Sequence, residues 1–181
     1  MDFTIKADLY RYEGLSGKKG LLRGLRIPGF LYTYLYRKVR KHQKHPLRKM
    51  FFLLVKRRCS YKFGFQIPHE TKIGKGFFIG HYGTVIISPD AILGENCNIS
   101  PGVTIGQSNR GYLKGSPKLG DRVWIGTNSV IVGQITIGSN VLIAPNSTVT
   151  INVPDNSMVR GNPPKIVPWE NATDGYIEYI L

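Results

Sequence analysis

At 181 residues and 41% hydrophobic content, the chain has the size of one globular domain with a small appendage, and enough apolar material for a real core. Two cysteines make no disulfide framework, and the longest apolar run, "MFFLLV" at 50–55, is far too short to cross a bilayer. The +14 formal charge sits in the first third: residues 1–66 hold 17 Lys+Arg against 3 Asp+Glu, whereas residues 67–181 hold 8 of each, which predicts a basic appendage on a neutral domain.

The opening stretch, "MDFTIKADLY", is acidic and lacks the long apolar segment of a signal peptide, so the expectation is a cytoplasmic protein. Residues 1–66 read as helical. Pro28 starts a helix in which Phe30, Leu31, Tyr34 and Leu35 recur at three- and four-residue spacing, and Pro46 starts a second through "LRKMFFLLVKRR". Two readings stay open for this segment. It is an amphipathic cap with a solvated basic face, or a surface that rests peripherally on anionic lipid or an acidic glycan, with Phe30, Tyr34 and Leu35 entering the interface.

From Ile67 a six-residue clock takes over. Aliphatic residues fall at Ile67, Ile73 and Ile79, then at Ile87, Leu93, Ile99 and Ile105, and, after a longer break, at Leu119, Ile125, Ile131, Ile137, Ile143 and Val149. Gly, Ser or Ala follows ten of these thirteen positions, and a second core candidate often stands two residues earlier, as at Cys97, Val103, Val123, Ile135 and Val141. An even period keeps both sets on one side of a strand, and hexapeptide repeats predict an all-β parallel β-helix.

The clock loses step twice. Two extra residues lie between Ile79 and Ile87, around His81-Tyr82-Gly83, and eight lie between Ile105 and Leu119, in the polar, glycine-rich "QSNRGYLKGSP" at 107–117. Stacked coils cannot absorb such insertions within a face, so both must project at corners. The two insertions are four hexads apart, close enough for one cleft, within a subunit or across a subunit boundary. An imidazole lifted into solvent there suits general-base work on a hydroxyl near neutral pH, which makes His81 the catalytic candidate. The sequence contains no P-loop, no CxxC zinc pattern and no nucleic-acid reading motif, so neither a metal nor a nucleic-acid partner is expected.

The segments "IPHETKIGKGFFIGHYGTVI", "NCNISPGVTIG", "RVWIGTNSVIVGQITIG" and "VPDNSMVRGNPPKIV" resemble the hexapeptide-repeat acetyltransferases over residues 67–168, above all serine acetyltransferases and their relatives in capsule and exopolysaccharide clusters. The resemblance implies a left-handed β-helix, a homotrimer with active sites between subunits, and acetyl-CoA as donor. His81 falls on the catalytic histidine. Trp124, Gly126 and Thr127 match the segment lining the pantetheine channel, Ala144-Pro145-Asn146-Ser147 the stretch whose backbone contacts coenzyme A, and Thr150 and Lys165 positions near its nucleotide end. The implied organisation is a basic helical segment (1–66), a β-helix catalytic domain (67–153) and a C-terminal loop and tail over coenzyme A (154–181).

Three departures bear on the acceptor. An aspartate that orients the histidine in serine acetyltransferases is Gln66 here, the aspartate just before it is Gly80, and an Arg-His pair that helps hold serine is Gly115-Ser116. Glu70 or a backbone carbonyl is then expected to orient His81. Without those charged groups the expected acceptor is a carbohydrate, namely a sugar hydroxyl of a bacterial surface polysaccharide or its precursor, with serine O-acetylation in cysteine biosynthesis as the alternative. A non-catalytic scaffold whose basic arm binds membrane or nucleic acid is the third reading.

Overall fold

The structure, a computed structural model, describes residues 2–181. Four helices come first: α1 (Phe3–Tyr10), α2 (Gly17–Gly24), α3 (Pro28–Lys41) and α4 (Pro46–Phe63). Asp2 caps α1 by accepting from the Thr4 amide at 3.1 Å, Pro28 and Pro46 stand at the first helical positions of α3 and α4, and Gly64 ends α4 with φ +81°.

A parallel β-solenoid follows. Its first coil is β1 (Phe65–Gln66), β2 (Lys72–Ile73) and β3 (Phe78–Ile79), and its second β4 (Val85–Ile87), β5 (Ile92–Leu93) and β6 (Asn98–Ile99). The third is β7 (Thr104–Gly106), β8 (Lys118–Leu119) and β9 (Val123–Ile125), and the fourth β10 (Val130–Val132), β11 (Thr136–Ile137) and β12 (Val141–Ile143). Then come β13 (Thr148–Val149), β14 (Ser157–Arg160) and β15 (Lys165–Pro168), the last antiparallel to β14. The strands stack into three faces: β1-β4-β7-β10-β13, then β2-β5-β8-β11, then β3-β6-β9-β12-β14-β15.

The register explains the clock. Leu119 pairs with Ile137, eighteen residues on, which is three hexads. Ile73 pairs with Leu93, twenty residues on, and Leu93 with Leu119, twenty-six on. The surplus two and eight residues leave at corners, and the aliphatic ladder stays in line. Every clock position except the half-buried Ile73 is buried, as are Cys97, Val103, Val123, Ile135 and Val141. Corners recur in the left-handed region, and short polar residues fill them: Asn96, Asn140 and Asn156 on one edge, Asn128 and Asn146 on another.

The first coil has no coil beneath it, so its outward carbonyls form an open sheet edge. Side chains of the helical cap close that edge. Arg11 donates to Gly76 O at 2.8 Å, Arg37 to Ile73 O at 2.7 Å, Arg40 to Thr71 O at 2.8 Å, and the Tyr32 hydroxyl to Ile67 O at 3.2 Å. Tyr36 and Lys56 do the same for Thr71 O and Ile67 O. Arg37 also forms a forked, buried ion pair with Asp8, at 2.8 and 3.2 Å. Burial pushes the Asp8 carboxyl up, and the Arg37 guanidinium and the Phe77 amide, at 3.0 Å, work against that shift. Several of the cap's cations are therefore structural ligands for carbonyls. Phe30 and Leu35 are buried in core clusters, and Tyr34 packs beside them, so these three do not form the exposed apolar surface expected of them.

Candidate active site

The two-residue slip lies at the corner between β3 and β4, where His81 and Tyr82 are exposed. The Gly83 amide donates to Phe63 O at 3.0 Å and the Val85 amide to Gly64 O at 3.1 Å, so the C-terminus of α4 backs this corner. Corners of the higher coils stack over it. Gly102 N donates to Thr84 O at 2.6 Å, Asn128 N to Pro101 O at 3.0 Å, and Asn146 N to Thr127 O at 2.9 Å. Gly102 has φ +78°, and a Cβ on it would meet Asn128 Oδ1 at 2.0 Å, so glycine is required for this edge to stack.

One edge of the prism thus carries His81, Thr127 and the Ala144-Pro145 turn in the first, third and fourth of its stacked tiers, with Pro101-Gly102 in the second. Tiers about 4.8 Å apart put the Pro145 corner on the order of 14 Å above the His81 corner. At the upper end Gly161 O accepts from Thr148 N at 3.1 Å, and Arg160 stands opposite Lys165 across the β14–β15 pair, both exposed. Lys165 was expected near the nucleotide end of coenzyme A. Arg160 was not, and its cross-strand register with Lys165 is invisible without the antiparallel pairing.

Other expected residues fall elsewhere. Glu70 lies at the corner between β1 and β2, a different edge, and its carboxylate pairs with His69 Nδ1 at 3.2 Å. Desolvation holds the His69 imidazole below its usual pKa, with Glu70 acting in the opposite direction. Within one chain Glu70 therefore does not reach His81, because the solenoid turns that corner away. Thr150, just after β13, lies on the same edge as Glu70, one face away from Thr127. Trp124 projects from the third face, where the Tyr176 ring of the C-terminal tail covers it at 4.6 Å between centroids. Gly126 is buried at the start of the Thr127 corner.

The loop 107–117, which carries the eight-residue surplus, also lies on the edge of Glu70. It is tied down rather than loose: Ser108 and Gly115 exchange two backbone hydrogen bonds at 2.9 Å, Gln134 N donates to Leu113 O at 2.9 Å, and Ser88 Oγ is 2.9 Å from Ser116 Oγ. A groove of about 860 Å³ on the first face runs between the two edges, past Gln66, Ser88 and Gln107. His81 is not among its lining residues, so within one chain the slip and the loop flank a face without forming one cleft. Among the described residues, no group of three or more His, Cys, Asp or Glu side chains is gathered to hold a metal ion.

Comparisons with known proteins bear on this arrangement. The family "Bacterial transferase hexapeptide (six repeats)" matches residues 116–150. Serine acetyltransferase 4 of Arabidopsis thaliana is 34% identical over 150 residues, covering 83% of this chain and 42% of the plant protein. A Staphylococcus epidermidis serine acetyltransferase is 40% identical over 112 residues, covering 62% of this chain and 53% of its own. The chain therefore spans about half of the curated relatives it matches. Among solved structures, Neisseria gonorrhoeae serine acetyltransferase in complex with serine superposes with a TM-score of 0.72 at 35% identity, covering 91% of this chain and 67% of that one. Brucella abortus serine acetyltransferase in complex with coenzyme A gives 0.75 at 28% identity, covering 92% and 67%. These relatives overturn the expectation of a polysaccharide or other carbohydrate acceptor. That expectation rested on charges missing at Gly80, Gly115 and Ser116, but charge at three positions does not define a pocket that other loop residues can also line.

Proposed function

The chain belongs to the hexapeptide-repeat transferases with a parallel β-solenoid fold, and we propose that it transfers the acetyl group of acetyl-CoA to the hydroxyl of L-serine. The observation that carries this reading is the shared edge: the exposed base His81 at one end, and above it Thr127 and the Ala144-Pro145 turn, the stretch whose likeness is to coenzyme A sites. Acetyl-CoA as donor is further supported by the coenzyme A complex of the Brucella relative, and serine as acceptor by the serine complex of the Neisseria relative.

In this mechanism the His81 imidazole takes the serine hydroxyl proton as that oxygen bonds to the thioester carbonyl carbon. The carbon–sulfur bond then breaks, and the imidazolium returns the proton to the leaving thiolate, so no acyl-enzyme forms. With Glu70 engaged by His69, a backbone carbonyl is left to orient the ring. Arg160 and Lys165 hold coenzyme A phosphates at the upper end of the edge. Arg110 and Lys114, exposed on the 107–117 loop, supply positive charge for the serine carboxylate. A trimer brings one subunit's loop toward its neighbour's His81 edge, which joins two features that a single chain keeps apart.

The test is to supply the purified chain with acetyl-CoA and L-serine, following thiol release and identifying O-acetylserine by mass spectrometry. Saturable product formation, half-maximal at about 1 mM serine or below, is expected. Thiol release that is indifferent to serine contradicts the reading.

A further inference from the structure

The helical cap carries a surface that acetyl transfer does not use. Helix α4 buries Lys56 and Cys59, with Phe52, Val55 and Phe63 packed against the core, and turns its other side to solvent. On that side Leu47 is 87% exposed, Met50 55%, Phe51 61%, Leu54 58% and Tyr61 77%. At about 100° per residue these five project within an arc of roughly 100° along the helix. Scattered exposed apolar residues are ordinary, but five on one stripe of one helix are not.

The flanks of the stripe are uniformly cationic. Arg48, Arg57 and Lys62 are exposed beside it, Lys44 is exposed just before the helix, Arg58 is exposed within the arc itself, and no Asp or Glu occurs anywhere between Glu13 and Glu70. Beside the first turns of α4 lies a depression of about 440 Å³ lined by His42, Leu47, Arg48, Phe51 and Phe52, with the His42 ring stacked on Phe52 at 5.4 Å. Unlike Arg11, Arg37, Arg40 and Lys56, these flanking cations donate to no backbone carbonyl of the first coil. They are not part of the cap's attachment to the solenoid.

We propose that this face of α4 is a docking site for an anionic phospholipid surface, on which the helix lies in the interfacial plane. The apolar stripe enters the boundary between headgroups and acyl chains while the cations meet lipid phosphates, the pattern of interfacial amphipathic helices. Charge selects this occupant. A second copy packed α4 against α4 would set arginines and lysines against their own kind, and the segment has no acid to relieve it. No described helix is long and apolar enough to cross a membrane, so the contact is peripheral and reversible. This inference is independent of the acceptor's identity. It also gives the cap a consequence for the active site, because α4 ends at Phe63, whose carbonyl holds the Gly83 amide beside His81.

The experiment is co-sedimentation of the full chain with vesicles of phosphatidylglycerol and phosphatidylcholine, and with phosphatidylcholine alone. Binding to the anionic vesicles only is expected. It should fall as salt is raised from 0.1 M to 1 M, because the screening length shortens from about 10 Å to about 3 Å. Each cation near such a surface is worth roughly fivefold in affinity, so the doubly reversed Arg48→Glu, Arg58→Glu chain should bind at least about 25-fold more weakly. Phe51→Ser with Leu54→Ser should also weaken binding while leaving acetyl transfer and the circular dichroism spectrum unchanged, since both side chains are exposed. Equal, weak binding to the two vesicle types overturns the proposal. So does a change of oligomeric state in the Phe51→Ser, Leu54→Ser chain, which would assign the stripe to a second copy.

Discussion

The solenoid and its helical cap solve opposite problems. The solenoid is neutral overall and buries an aliphatic ladder whose backbone groups are satisfied by the coils above and below, so its stability comes from repetition. The cap carries the whole net charge and spends much of its polar equipment where the repetition stops, on the open carbonyls of the first coil. The proposed function places its chemistry at the interruptions of this repeat: His81 at a slipped corner and the 107–117 loop at a second, with the cap at the exposed end.

This contrast predicts a graded set of effects. His81→Ala should lower turnover by about 10²–10⁴, or roughly 2.7–5.5 kcal/mol of barrier, with coenzyme A affinity and thermal stability nearly unchanged, because the slipped corner carries no core residue. Steady-state kinetics with calorimetric coenzyme A binding checks this, and a loss under about fivefold would remove His81 from the role of base. Arg37→Met attacks the other region. It strands the buried Asp8 carboxylate and frees Ile73 O, and should cost about 3–5 kcal/mol in denaturant unfolding. Asp8→Asn, which keeps a hydrogen-bonding side chain, should cost less.

Smaller effects are expected along the upper edge. Arg160→Ala and Lys165→Ala should each weaken coenzyme A binding about five- to tenfold without changing the serine KM, since both are exposed and their gain is screened by solvent. Dephospho-coenzyme A should blunt the effect of whichever residue meets the 3′-phosphate. Glu70→Gln should change turnover less than twofold, because its partner is His69 on another edge.

Much of the solenoid was legible in the sequence because its core repeats: Leu93, Leu119 and Ile137 can be counted before they are seen stacked. The slip around His81 was legible for the same reason, as a missed beat. The cap has no such period. Phe30 and Leu47 look alike as apolar residues in a basic segment, yet one is buried and the other open, and only the tertiary arrangement decides. Nor does sequence tell Arg37, buried against carbonyls, from Arg48 in solvent. The edge that Glu70 occupies was not legible, because proximity along the chain says nothing about which of three edges a corner takes, nor was the place of Arg160 opposite Lys165, because that pairing breaks the parallel rule of the repeat.

The central claim is that the edge bearing His81 is the donor site, and a structure of the chain with coenzyme A bound tests it most directly. The account predicts the coenzyme extended along that edge, its sulfur within about 4 Å of the His81 imidazole, its pantetheine arm against the Thr127 and Pro145 corners, and its phosphates between Arg160 and Lys165. Coenzyme A lying instead along the edge of Glu70, the 107–117 loop and Thr150, with its sulfur remote from every His81 of the assembly, would contradict it.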